Sequence, residues 1–175
     1  MMHPAQAPQK KGFPVWLVIL LVVGVAGVPT IGVMATVAIY GVRQYLVQAK
    51  KAEGRSGAMS LARGLASCAE TTGHLPPTSA SVPPTVPVAT KVQTSPADWN
   101  DVAYTCAHFS MSAPQYFQYQ WVATSATRGV ARATADFGSG PVTITAEVTC
   151  TASGAALACT PGLPIEGATT TSSVP

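Results

Sequence analysis

Charged residues are scarce in this chain, at 10% of the composition, and between Phe13 and Val42 there are none. Signatures of chemistry are missing too. There is no G-x-S-x-G elbow, no phosphate-cradling glycine loop and no H-E-x-x-H pair, which removes the commonest hydrolase, nucleotide and zinc-protease readings. No C-x-x-C pair occurs, and no histidine stands at metal-ligand spacing from a cysteine, so no metal site is expected. His3, His74 and His108 are scattered, and His108 reads as a strand-edge or loop residue. Asp98, Asp101 and Asp136 fall in turn-like stretches, where carboxylates cap or stay solvated. The net charge of +3 is too small to argue for nucleic acid. No internal repeat is visible. Enzymatic activity is not expected, nor is a cofactor.

What is present begins with a short leader, residues 1–12, which carries Lys10 and Lys11 near its end. The uncharged run, residues 13–42, follows. At about 1.5 Å per residue it makes roughly 45 Å of helix, against a hydrocarbon core of about 30 Å. A cleavable signal peptide has an apolar region of only about 7–15 residues before a small-residue site, so the run reads as an anchor. Pro29 lacks a backbone donor and should bend it.

Residues 43–72 continue as helix without proline. Ala58, Leu61, Ala62, Leu65 and Cys68 recur at three- and four-residue spacing and form one apolar stripe. Gly54, Gly57 and Gly64 read as weak points in that helix. Five prolines in LPPTSASVPPTVPV make residues 73–98 an extended surface loop.

Strand signals then fill 99–165. QYFQYQWVA places Phe117, Tyr119 and Trp121 on one face, and VTITAEVT does the same with Val142, Ile144, Ala146 and Val148. VARATAD and AALACT are weaker candidates. Four strands with turns between them predict an antiparallel meander with one buried face. Residues 166–175 read as a flexible tail. The fold class is α+β: a long N-terminal helix, half membrane and half amphipathic, packed on a C-terminal antiparallel β-sheet.

The four cysteines, Cys68, Cys106, Cys150 and Cys159, all follow the anchor. They read as two disulfides in an oxidising compartment. Arg43, Lys50, Lys51 and Arg55 also follow it, and charge alone would keep that flank in the cytoplasm. The cysteines are the stronger argument. Strands folding back at Ser153-Gly154 pair Cys150 with Cys159, which leaves Cys68 for Cys106.

This layout resembles the type IV pilins and their pseudopilin relatives. The resemblance rests on the Gly12-Phe13 junction, the segment AIYGVRQYLVQAKKAEG where a membrane helix passes into water, and a Pro-x-Tyr-aromatic-x-Tyr pattern from Pro114 to Tyr119. It implies cleavage between Gly12 and Phe13 by a prepilin peptidase, methylation of Phe13, and assembly of a homo-oligomeric filament by the pilus machinery. The N-terminal helices would pack in the filament core. Location would be the inner membrane, single-pass with an extracytoplasmic domain, and then a cell-surface filament. A second reading fits the same topology: an uncleaved, single-pass anchored binding domain.

Overall fold

A computed structural model describes the backbone of residues 12, 14–138, 140–153 and 156–168, and their side chains except 23–38 and 153. The architecture is mixed, helix plus a five-stranded antiparallel sheet. Helix α1 runs over Val15–Thr72, and its residues divide between two compact units, Met1–Tyr45 and Leu46–Pro175. Among the described residues, no helix is long and apolar enough to cross a membrane. The bend expected at Pro29 falls where side chains lie outside the described residues, as do the leader up to residue 11, His3 and Phe13.

In the second unit, the stripe Ala58, Leu61, Ala62, Leu65 and Cys68 is buried. It joins one core with the inward face of the sheet. Burying a leucine there contributes about 1.5–3 kcal/mol. Gly73, at φ +78°, ends the helix by donating its N–H to the Ala69 carbonyl at 2.9 Å, a left-handed cap that favours glycine. The glycines inside the helix, read from the sequence as weak points, are also contact points. A Cβ at Gly54 would stand 2.9 Å from the Ile144 Cδ1, and one at Gly57 would overlap the Tyr119 ring. Missing side chains let the helix lie close to the aromatic strand.

The sheet is ordered β1-β2-β3-β4, with β5 also on β3. The strands are β1 (Gln118–Ser125), β2 (Arg128–Asp136), β3 (Pro141–Ser153), β4 (Ala156–Pro161) and β5 (Ile165–Ala168). Phe117, Tyr119, Trp121, Ile144, Ala146 and Val148 are all fully buried, as period-two alternation requires. Strands β4 and β5 follow one another along β3. The partner of Val148 is Pro161 and that of Thr145 is Ile165, so the connection between the two segments carries one residue more than β3 does between these pairs. The flexible tail expected from residue 166 is thus corrected: Glu166–Ala168 belong to the sheet, because β3 is long enough to pair with both segments. Residues 169–175 lie outside the described residues.

The proline-rich segment is an extended loop that covers the free edge of β1. Ser79 and Val82 donate their N–H groups to the Trp121 and Tyr119 carbonyls at 3.0 and 2.9 Å, and Tyr119 returns a bond to Val82 at 2.7 Å. An uncovered edge would invite pairing with another chain. A short helix not expected from the sequence, α2 (Val102–Cys106), precedes the sheet. Cys68 pairs with Cys106, at a Cα separation of 5.6 Å, so this disulfide joins two helices rather than a helix and a strand. Cys150 pairs with Cys159, at 4.0 Å between directly opposed residues. Gly154, part of the turn expected between them, lies outside the described residues.

Candidate functional site

The titratable side chains singled out from the sequence hold turns. Asp98 accepts from the Ser95 N–H at 2.7 Å, and Asp136 accepts from the Gly138 N–H at 2.7 Å. Asp101 caps α2, accepting from Ala103 N–H at 3.0 Å and from Ala80 N–H at 3.1 Å. His108 follows the end of α2 at φ +51°. Its N–H donates to the Thr105 carbonyl at 3.2 Å, while Phe109 N–H reaches Tyr104 at 2.9 Å. This is a Schellman cap with histidine where glycine is usual. The His74 Nδ1 lies 3.1 Å from the Thr72 carbonyl oxygen. Among the described residues, no group of three His, Cys, Asp or Glu could hold a metal ion.

Burial moves two tyrosines. The Tyr104 hydroxyl is pushed up to about 12, chiefly by burial, against a lowering hydrogen bond with Ser79. It lies 2.7 Å from the Ala80 carbonyl and 2.8 Å from that of Tyr119, and its one proton serves both. Burial raises the Tyr119 hydroxyl as well, with the Glu53 charge adding to the effect. Both tie the aromatic core, in which Trp99 meets Tyr104 and Phe109 edge-on at 5.1 and 5.4 Å.

The surface is more informative. On α1 in the second unit, a shallow groove of about 270 Å³ is lined by Glu53, Ser56, Ser60, His108 and Met111. Beside it, a wider one of about 520 Å³ is lined by Arg55, Met59, Arg63 and Pro164. Both are open to solvent, and the first brings Glu53, Ser56, Ser60 and His108 to one face. Lys51 and Arg55 both bind Glu166 of β5, Arg55 at 3.1 Å. The Lys51 hydrogen bond is the main cause of a lowered Glu166 carboxyl. Sequence reasoning missed this clamp because Glu166 reads as the start of a polar, flexible tail.

In the first unit, the eight consecutive apolar side chains from Val15 to Val22 are all exposed, between 40% and 72%. Gly12 is exposed and precedes the helix by three residues. Phe13, its expected cleavage partner, lies outside the described residues.

No protein-family model matches the chain, and no curated protein and no solved structure matches it.

Proposed function

We propose that this chain is a structural subunit of a type IV pilus or a related filament, held in the inner membrane before assembly by helix packing. The observation that carries the reading is the segment Val15–Val22. It is helical, uncharged and exposed on every side. A helix that is apolar all round is stable when lipid or other helices cover it. The same helix buries a one-sided stripe beneath a sheet in the second unit, which is the division of labour a filament subunit needs. Two disulfides support an exported domain.

In this reading the apolar helices leave lipid and bury against one another in the fibre, and the sheet domains form the shell. A second reading is favoured by Leu17. The pilin pattern has a glutamate at the fifth mature position, which pairs with a neighbour's amino terminus, and leucine cannot make that pair. Pro14, next to the cleavage bond, points the same way. Under that reading the chain stays uncleaved as an anchored binding domain.

Shearing separates the two. Chain recovered in sheared, sedimentable surface fibres supports the subunit. Chain confined to the membrane fraction as monomers supports the anchored domain and contradicts the filament.

A further inference from the structure

In the proline-rich segment, residues 75–90, the hydroxyl side chains are Thr78, Ser79, Ser81, Thr85 and Thr90. Three of them already serve the fold. The Thr78 Oγ1 accepts from the Ala123 N–H at 3.0 Å, and the buried Ser79 Oγ accepts from the Trp121 N–H at 2.9 Å. The Thr90 hydroxyl donates to the Val88 carbonyl at 3.2 Å. Ser81 is half-buried, one residue before the bridge from Val82 to Tyr119. Thr85 differs from all of these. It is exposed, and its hydroxyl has no hydrogen-bond partner among the described residues.

The backbone bends at residues 83–85 and is pinned on both sides of the bend. Val82 and Tyr119 exchange both backbone hydrogen bonds, at 2.9 and 2.7 Å, and the Pro83 carbonyl accepts from the Gln118 side chain at 2.9 Å. Further on, the Pro87 carbonyl accepts from the Asp136 N–H at 3.0 Å, and the Ala89 N–H donates to the Asp136 carbonyl at 2.7 Å. Between these anchors, Pro84, Thr85 and Val86 make no hydrogen bond among the described residues. Pro83, Pro84 and Pro87 fix their own φ, and Val86 is kept out of the helical region by the proline after it. A modifying enzyme can therefore seat residues 84–86 without breaking a bond of the fold. Little chain entropy is lost on seating a segment that is already fixed. Pro83 and Pro87 are buried, so the segment offers no proline ridge to an aromatic groove.

We propose that Thr85 is an acceptor for O-linked glycosylation. Stretches rich in serine, threonine and proline are the kind that carry O-linked sugars. Residues 75–90 contain no charged side chain, and Lys91 beyond them stands over the Tyr116 ring at 5.0 Å. A phosphate on Thr85 would have no basic partner within the segment, whereas a sugar needs none. In the transfer, the Thr85 oxygen attacks the anomeric carbon of a sugar phosphate. The new carbon–oxygen bond replaces the bond to the phosphate oxygen. The phosphate leaves with the electron pair, and the hydroxyl proton passes to a base of the transferase. The sugar adds bulk and solubility to a loop whose Val88 is 58% exposed. The assignment holds for a filament subunit and for an anchored domain alike, so its failure would leave both readings of function as they stand.

The test uses the full chain purified from the cells that make it. After reduction and alkylation, trypsin releases residues 64–91, and electron-transfer fragmentation locates any added mass. The peptide should carry a glycan, attached at Thr85. Thr85→Val should lose it entirely, with an unchanged thermal midpoint to show that the variant folds. Thr85→Ser, which keeps a hydroxyl, should carry it again. Ser81→Ala and Thr90→Val should leave it in place. An unmodified peptide overturns the proposal, as does a sugar on another hydroxyl of the segment or a phosphate on Thr85.

Discussion

Gly64 faces the backbone of Ala107, the residue after the disulfide-bonded Cys106, and a Cβ there would overlap the Ala107 carbonyl oxygen. Replacing a helical glycine by alanine gains about 1 kcal/mol of propensity. Overpacking costs about 1–3 kcal/mol, and a carbonyl beside a disulfide cannot swing away as a side-chain tip could. Gly64→Ala is therefore expected to lower the urea midpoint, and a raised midpoint would show that the helix can shift. Tyr104 supplies a second test at this scale. Tyr104→Phe removes a donor shared by the Ala80 and Tyr119 carbonyls, the second of which keeps the Val82 N–H, and should cost about 1 kcal/mol. Its raised hydroxyl also sets a pH dependence. The neutral form is favoured in the fold, so its contribution is complete below pH 10 and is lost as pH rises through about 12. Thermal melts between those limits should fall more steeply for the native chain than for the phenylalanine variant. The stripe and the aromatic alternation were legible because their period survives in a single sequence. The role of the glycines was not, because a missing side chain says nothing about what fills its place.

Among the elements, β5 is the shortest strand. It is four residues long and pairs only with β3. Glu166 holds it to α1 through Lys51 and Arg55. Partly exposed pairs contribute about 0–1 kcal/mol, enough to matter for so short a strand. Glu166→Gln should speed amide exchange over Ile165–Ala168 and leave β1 unchanged, and equal protection in both chains would show the clamp to be idle. The carboxyl is lowered in the fold, so its contribution is present above its ordinary value of 4.5 and is lost as pH falls through the folded value. The same exchange in native chain should therefore rise on acidification below pH 4.5. Strands β1 and β3 were readable from alternation, and Cys150–Cys159 from strand reversal, which left Cys68 and Cys106 as the other pair. IEGA was not, since four residues with a glycine carry no period and a polar tail follows. Helix α2 escaped notice because VAYTC is only five residues long. It is fixed by the Asp101 cap, the Cys106 disulfide and the packing of Tyr104, none of which a propensity scale contains.

For the whole molecule, a sheet domain stapled by two disulfides continues from a helix that begins as an exposed, uncharged run. The disulfides close loops of 38 and 9 residues in sequence separation. The chain-entropy model assigns them about 4 and 2.5 kcal/mol, which is large beside the 5–15 kcal/mol typical of a domain. That investment suits a protein exposed outside the cytoplasm. The basic flank was only half legible: its charges stood out in the sequence, whereas the pairing of Lys51 and Arg55 with Glu166 joins residues far apart in the chain. The central claim is that the exposed run becomes the core of a filament after processing, and the mature N-terminus tests it most directly. Intact-mass analysis of the chain purified from cells should give a species beginning at Phe13 and carrying one N-terminal methyl group. A chain that begins at Met1 or Met2 would contradict the filament account and leave an anchored domain in its place.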